Sequence, residues 1–553
     1  MSTFVDALCA TATGASGKAK GMTTGEPNTP VRRTWGQIHD TARSIAGALR
    51  VDGLVPGAAV AVLAADPAQI APAVQAVWLA GGSVTMLHQP TPRTDLAEWA
   101  KDTLRVLGMI EARLVLLGSP FDALAGLLDE HGVSYRPLGE PSDAEPLAEP
   151  VHITEDATAL LQLTSGSTAE PKAVRITHRN LMANMTAMTK AADFDFDADI
   201  MVSWLPLFHD MGMVGFLTLP MTFGVELVKV SPADFLAGPL LWFDLISRHR
   251  GTVTAAPNFA YAIASRRLSS VDDDGAYDLS SLRIALNGAE PIDVAAVRSF
   301  TSAGARFGMS PGCVLCAYGM AESTLGVSFA APGVGLAVDT VDAELLETRG
   351  RAVVASEGTV RSLPLLGLPL PGLEIRVVDG DGRVLGEREV GQFRLRGDSV
   401  TPGYLTVNGP LSTQDEQGWL DTGDEGYLVA GQVVICGRRK DVIIMGGRNI
   451  YPTDIERAAC SVPGVRAGNA VAVRLDAGTR RERFAVAVES RMAGEADEEK
   501  SLREGVIDKV VDAVGLRPYA VVVLPPASLP KTPSGKLRRA AAAEQVAQLL
   551  ARR

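Results

Sequence analysis

Cysteine is scarce in this chain: five residues in 553, at Cys9, Cys313, Cys316, Cys436 and Cys460. A sparse, odd-numbered set in a long chain does not build a secreted disulfide framework. Cys313 and Cys316 form a C-x-x-C, but no second Cys or His pair lies nearby. The run Cys313-Val-Leu-Cys316-Ala reads as a buried strand, so structural thiols are expected rather than a redox or zinc pair. Long apolar runs are missing too. The most apolar stretch, Val214 to Val225, is short and interrupted by Pro220, and falls well short of the roughly 20 residues that a membrane span needs. Met1 to Ala10 lacks the basic start and apolar segment of a secretory signal. The expectation is a soluble, cytoplasmic protein that is not integral to a membrane. Positive charge is in deficit, with 52 Lys and Arg against 64 Asp and Glu and a formal net charge of −12. Such a chain has no general attraction to nucleic acid or anionic lipid, so any polyphosphate ligand must be held by a local site.

What is present is an ordinary globular composition, 46% hydrophobic and 21% charged, at a length that implies two or more domains. Residues 34–130 alternate between helical and strand-like patterns. Helices are predicted from Trp35 to Leu49 and from Ile70 to Leu79. Strands are predicted from Ala58 to Ala64 and, after Gly81-Gly82, from Ser83 to Leu87. This alternation implies βαβ units on a parallel sheet and an α/β class. Pro137 to Pro150 reads as a surface connector, and residues 158–330 repeat the alternation. From about 367 to 436 the pattern changes to short strands with Gly/Asp turns, such as Leu373 to Val378 followed by Asp379-Gly-Asp-Gly382, which predicts a smaller β-rich subdomain. A compact α+β segment is predicted after Lys440.

Five segments carry chemistry. Leu163-Thr164-Ser165-Gly166-Ser167-Thr168-Ala169-Glu170-Pro171-Lys172 follows the apolar run Ala157 to Leu163. Small and hydroxylic residues let backbone N–H groups and hydroxyls converge on an anion, and Lys172 adds a point charge. It is not a Walker A loop, because Pro171 and Ala173 stand where that motif needs Gly and Ser or Thr. Ser203-Trp-Leu-Pro-Leu-Phe-His209-Asp210-Met-Gly-Met213 places a His-Asp pair in an apolar segment, suited to lining a substrate pocket. Asn287-Gly288-Ala289-Glu290-Pro291 closes a strand-like run with small residues that can flank a flat base. In Tyr318-Gly319-Met320-Ala321-Glu322, a ring at a strand end can stack on a nucleobase and Glu322 is a hard oxygen ligand for Mg2+. Asp421-Thr-Gly-Asp424 reads as a buried turn on which Asp424 can accept both ribose hydroxyls, ahead of Gly437-Arg438-Arg439-Lys440. Last, Ser534-Gly535-Lys536 sets a lysine on a turn, suited to delivering a cation into a site.

Taken in this order along residues 30 to 545, these segments resemble the adenylate-forming superfamily of acyl-CoA synthetases, peptide-synthetase adenylation domains and luciferases. The wording of Leu205 to Gly212, Ala255-Ala-Pro-Asn-Phe-Ala-Tyr261, Asn287 to Pro291 and Tyr318 to Glu322 is similar to the fatty acyl-AMP ligases. So is the extra stretch from Asp342 to Leu366, where that family carries an insertion that CoA ligases lack. The resemblance implies a large N-terminal domain over residues 1–439, with two αβαβα-type sheet subdomains and a small distorted β-barrel. A small mobile C-terminal domain over 440–553 would swing about a hinge at Lys440. It implies that ATP and a fatty acid give acyl-AMP and pyrophosphate, with Mg2+ as cofactor. By the same resemblance Thr164, Ser165, Gly166, Ser167, Thr168 and Lys172 hold the outer phosphates, and Glu322 binds Mg2+. Tyr318, with Gly319, Met320 and Ala321, faces adenine opposite Asn287, Gly288, Ala289 and Glu290. Asp424 and Arg438 hold the ribose, His209 lines the acid's carboxylate, and Lys536 bridges carboxylate and α-phosphate. The implied acceptor is a phosphopantetheinylated acyl carrier protein or polyketide synthase, with CoA as the alternative. The chain departs from the superfamily pattern at Ala321, where Thr is usual, and at Ala169 and Ala173, which replace loop glycines and are expected to stiffen the phosphate loop.

Other readings fare worse. Gly308-Met-Ser310-Pro-Gly312 fits G-x-S-x-G, but Pro311 has no N–H to donate to an oxyanion. Asp193, Asp195 and Asp197 suggest a calcium loop, yet Ala198 and Trp204 occupy the positions that need Gly and Glu. A catalytically silent adenylate-binding protein is the remaining non-enzyme reading.

Overall fold

Trp35–Val51 folds as a helix because its sequence closes the first turn: the Thr34 hydroxyl accepts from the Gln37 N–H while the Gln37 side chain accepts from the Thr34 N–H. Trp35, Ile38, Ala42, Ala46 and Leu49 recur at helical spacing and are buried. The next strand, Ala59–Leu63, is buried at every position, as a parallel strand covered on both faces must be. The computed structural model describes residues 2–90, 94–139, 143–164, 170–476, 482–531 and 536–551. Two compact units emerge, the first formed by Met1–Ala337, Leu365–Ile375 and Leu395–Leu420, the second by Val338–Pro364, Arg376–Arg394 and Asp421–Arg553.

The first unit holds two large sheets. In the nine-stranded sheet, Val314–Gly319, Ile284–Gly288, Val253–Pro257, Ile200–Ser203, Glu226–Lys229 and Gly21–Thr24 run parallel and side by side. In the eight-stranded sheet, Thr158–Thr164, Ser83–Met86, Ala59–Leu63, Leu114–Leu117 and Tyr135–Pro137 are parallel neighbours. Lys172–Thr177 then runs antiparallel beside Thr158–Thr164, and the hairpin Gly403–Thr406 and Gly409–Ser412 extends that edge.

The β-rich stretch expected at 367–436 therefore has several destinations. Leu368–Pro369 joins the nine-stranded sheet and the 403–412 hairpin joins the eight-stranded one. Leu373–Val378, Gly391–Gly397, Leu420–Val429 and Gln432–Arg438 form a four-stranded sheet, within whose strands the chain passes from one unit to the other. Ala173 is not a loop residue: it is fully buried within the Lys172–Thr177 strand, opposite Leu163 and Leu405. It stiffens no loop.

In the second unit the strands Val465–Leu475, Arg483–Ser490 and Ala520–Leu524 make a three-stranded sheet. Alternate residues feed two cores: Ala470, Ala472, Val486 and Val488 pack with Ile455, Leu502, Val506 and Val510, whereas Val471, Val473, Ala485 and Ala487 pack with Ala542 and Val546. The stretch anticipated as an insertion is ordered. Val360–Pro364 pairs antiparallel with Val338–Asp342, and Ala343–Arg349 is a helix. Arg361, buried, lies over the Tyr451 ring at 4.3 Å, pairs with Asp454 at 2.9 Å and donates to the Cys436 carbonyl at 2.9 Å. Arg448 donates to Glu347 at 2.9 Å.

Cys313 and Cys316 are buried free thiols, and burial pushes each up to about 12. They stay protonated and inert, as a structural role requires. Among the described residues no helix is long and apolar enough to cross a membrane.

Asn180 closes a capping box with Thr177 at the start of the His178–Ala191 helix and also donates to the Asp398 and Val400 carbonyls at 2.7 and 3.2 Å. Asn180→Ala keeps the Thr177 hydroxyl cap but removes the reciprocal arm of the box, orphaning the buried Thr177 N–H, and loses both carbonyl contacts, so it should cost about 1–2 kcal/mol of unfolding free energy. Urea denaturation followed by circular dichroism measures this.

Candidate functional site

Parallel strands end on a common side, and in open α/β sheets ligands bind outside those carboxyl ends. In the nine-stranded sheet these ends are Thr24, Lys229, Ser203, Pro257, Gly288 and Gly319. Gly288 sits against its neighbour so closely that an added Cβ would lie 3.1 Å from the Ala317 carbonyl oxygen. Ala289 follows with φ of 67°, in the left-handed region. Its turn is pinned by Glu290, whose carboxylate accepts from the Phe259 N–H at 2.6 Å, and by Asn258, which accepts from the Asp293 N–H at 3.1 Å. Asn287 donates to Asn258 at 3.3 Å, but its own carboxamide oxygen is buried with no hydrogen-bond partner among the described residues. Tyr318 and Gly319 end the adjacent strand, followed by buried Met320 and Ala321. The two segments expected to flank a base thus lie on neighbouring strand ends.

At the carboxyl end of Thr158–Thr164, the Thr164 hydroxyl is also buried and without a partner among the described residues. Ser165, Gly166, Ser167 and Thr168, with Ala169, lie outside the described residues. Lys172 re-enters directly opposite Thr164. Its Nζ lies over the Tyr404 ring, 4.1 Å from the centroid, and the Tyr404 hydroxyl donates to Glu322 Oε1 at 2.5 Å. The Glu322 carbonyl accepts from the Thr401 N–H at 2.8 Å. A cation and a carboxylate are therefore assembled around one tyrosine, beside an orphaned hydroxyl. Among the described residues no group of three or more His, Cys, Asp and Glu is placed to hold a metal ion. A lone carboxylate of this kind suits Mg2+ arriving with phosphates, since that ion takes one or two protein carboxylates and completes its shell with phosphate oxygens and water. The orphaned Asn287 and Thr164 oxygens likewise fit a nucleotide rich in donors and acceptors.

His209 lies on the loop after Ile200–Ser203. Its Nδ1 is 2.6 Å from Asp210 Oδ1, and Asp210 also accepts from the Met211 N–H at 2.7 Å. Gln162, on the Thr158–Thr164 strand, donates to the Phe208 carbonyl at 2.9 Å, tying this loop to that strand. The ring of His88, just beyond Ser83–Met86, meets Phe208 edge-on at 5.8 Å. Burial, with His209 adding to it, pushes His88 down to about 4, so its imidazole is neutral near pH 7. A wholly buried π-helical turn, Met211–Thr218, follows; such turns recur at functional sites.

Tyr404, Gln162, His88 and Lys229 escaped the sequence reading. Lys229 had a signal, a charge directly after the apolar pair Leu227-Val228. It is 1% exposed and donates to the Leu205 and Val230 carbonyls at 2.6 and 2.9 Å, at the root of the His209 loop. Trp204, stacked on Phe235 at 3.9 Å, packs the same root.

The remaining expected residues belong to the second unit. Asp424 is buried within the Leu420–Val429 strand rather than on a turn, opposite Arg438, whose Nε lies 3.0 Å from its Oδ1. Lys440 is exposed, and its carbonyl accepts from Arg474 at 3.1 Å. Lys536 is half-buried, directly after residues 532–535, which lie outside the described ones.

Burial pushes Lys229 down to about 7 from 10.5, against the pull of Asp234. Between those values the unfolded chain binds the extra proton, so stability rises with pH across that window, by at most about 1.4 kcal/mol per pH unit. Lys229→Met should remove this rise. Denaturation curves for both proteins below and inside the window measure it.

Three comparisons bear on this site. A family model described as AMP-binding enzyme matches residues 19–405. The Mycobacterium tuberculosis protein Rv1013 is 56% identical over 521 residues, covering 94% of this chain and 96% of its own length. FadD26 of Mycobacterium marinum, a long-chain-fatty-acid–AMP ligase, is 31% identical over 547 residues, covering 93% and 91%. A solved chain from work on the fatty acyl-adenylate ligases of E. coli and L. pneumophila superposes with a TM-score of 0.88 at 31% identity, covering 100% of this chain and 99% of that one. With a family match over most of its length and relatives aligned nearly end to end, the chain belongs to the AMP-binding, adenylate-forming enzymes.

Proposed function

We propose that this protein is a fatty acyl-AMP ligase. A fatty acid's carboxylate oxygen attacks the α-phosphorus of ATP, the bond to the β-phosphate bridge oxygen breaks, and acyl-AMP and pyrophosphate leave. The carboxylate is already a nucleophile, so positioning and charge stabilisation supply the catalysis and no general base is needed. The observation that carries this reading is the assembly of Lys172, Tyr404 and Glu322 next to the unpartnered Thr164 hydroxyl.

In this proposal Lys172, Thr164 and the segment Ser165 to Thr168 hold the outer phosphates, and Glu322 holds Mg2+, which neutralises phosphate charge when bound. Tyr318 to Ala321 and Asn287 to Glu290 receive adenine. His209, kept oriented by Asp210, faces the acid's carboxylate. Asp424 and Arg438 take the ribose, and Lys536 bridges the carboxylate and α-phosphate. Lys440 is the hinge about which residues 440–553 turn after the first half-reaction. A cytoplasmic setting belongs to the same proposal, because ATP is the co-substrate.

For the acceptor, a phosphopantetheinylated acyl carrier protein or polyketide synthase is proposed over CoA. The support is the ordered stretch from Asp342 to Leu366, which Arg361 and Glu347 tie to Asp454, Tyr451 and Arg448. These contacts join it to the segment after Lys440, where the acceptor's path would open.

Fatty-acid-dependent exchange of radiolabelled pyrophosphate into ATP tests the first half-reaction; no exchange with any chain length would overturn the reading. Lys536→Ala should lower the exchange rate by a few hundred-fold, the loss of about 3–4 kcal/mol of transition-state stabilisation, with an unchanged melting curve. Offering CoA or a phosphopantetheinylated carrier with its thiol free to the acyl-adenylate tests the acceptor: faster acyl-CoA formation would reverse that choice. Lys440→Pro should leave exchange intact and slow transfer to either acceptor; equal transfer rates would remove the hinge.

A further inference from the structure

Lys172 and Glu322 carry opposite charges in one site and share a contact residue. Among the described residues they form no ion pair with each other. Tyr404 stands between them and engages each through a different surface: the ring face is electron-rich and attracts the ammonium, while the hydroxyl donates to the carboxylate.

The backbone sets this up. Tyr404 pairs with Val174 across the antiparallel ladder, and Thr406 pairs with Lys172, so Lys172 is the diagonal neighbour of Tyr404 on the same face. The same segment fixes Glu322 from the other side. The Thr401 N–H donates to the Glu322 carbonyl at 2.8 Å, and the Thr324 hydroxyl donates to the Ser399 carbonyl at 2.8 Å. The Thr401 hydroxyl donates to the Arg175 carbonyl at 2.5 Å. The segment 399–406 thereby zips the Lys172–Thr177 strand to the Glu322 turn.

We propose that Tyr404 is a positioning residue that holds the lysine and the acidic ligand apart and ready for a nucleoside triphosphate with its divalent cation. The proposal rests on the adenylation reading for its purpose. A direct Lys172–Glu322 pair would have to be broken each time phosphate entered. A tyrosine interposed between them engages both groups without neutralising either charge. One carboxylate oxygen accepts the tyrosine hydroxyl while the remaining lone pairs stay open.

The two surfaces separate by mutation. Tyr404→Phe keeps the ring and loses the hydroxyl; Tyr404→Leu loses both. Calorimetric titration with ATP, in Mg2+ and again in EDTA, reads them out without turnover. Tyr404→Phe should weaken binding about tenfold in Mg2+ and leave binding in EDTA unchanged. Tyr404→Leu should weaken binding in EDTA as well, by about threefold. In a Glu322→Gln background Tyr404→Phe should have no further effect on the Mg2+ dependence, because the hydroxyl acts through that carboxylate.

Equal losses for Tyr404→Phe with and without Mg2+, or an undiminished loss in the Glu322→Gln background, would reduce Tyr404 to a packing residue. Tighter Mg2+-ATP binding in Tyr404→Phe would make it a competitor instead and overturn the proposal. If Tyr404→Leu melts early, the Phe variant alone decides. A wild-type protein that binds ATP but exchanges no pyrophosphate would sink the ligase reading while the titrations still judged Tyr404. One that binds no ATP would sink both.

Discussion

The antiparallel placement of Lys172–Thr177 between Thr158–Thr164 and Gly403–Thr406 is the constraint on which the site depends. The rest of that sheet's core is parallel, and each parallel strand needs a long crossover before the chain returns. By turning straight back, this strand brings Lys172 level with Thr164 at the rim where the parallel strands end. By accepting a hairpin on its other side, it draws in Tyr404 and, through the segment 399–406, Glu322. Thr164 and Lys172 thus share one hydrogen-bonded ladder with Tyr404, more than two hundred residues further along the chain.

Electrostatics follow from that placement. The chain is acidic overall, yet the cation and carboxylate of the site are local and individually buffered. Burial silences two titratable groups at the His209 loop. His88 is held neutral by desolvation, and Lys229 spends its donors on two backbone carbonyls at the base of the His209 loop. That loop is braced by Gln162 and by the Trp204–Phe235 stack, so His209 and Asp210 project from a fixed base.

The second unit has its own logic. Arg361 is buried, and one arginine is costly to bury unless several partners compensate. Asp454, the Tyr451 ring and the Cys436 carbonyl supply that compensation. Together with Arg448 and Glu347 they make the stretch after Asp342 an integral part of this unit rather than a surface loop. Asp424 and Arg438 face each other across adjacent strands, which keeps the buried carboxylate partnered.

Local chemistry was legible from the residues alone. The amphipathic spacing from Trp35 to Leu49 declares a helix, and the apolar runs Ala58 to Ala64 and Ala157 to Leu163 declare strands. The small residues at Asn287 to Glu290 and the ring at Tyr318 mark strand ends, because these properties depend on near neighbours in the chain. Partnership across the chain was not legible. Nothing in Gly403-Tyr404-Leu405 says which sheet edge it will join, since short strands between Gly and Asp turns carry no record of their neighbours. Asp424 read as a turn residue and lies on a strand, because Gly423 signals a turn locally while long-range pairing overrides it. Tyr404, Gln162, His88 and Lys229 acquire meaning only from what they touch. The sequence by itself determined the class of fold and the kinds of groups available for phosphate chemistry. Tertiary structure decided which of those groups meet, because meeting depends on ladder register and burial that no local pattern encodes.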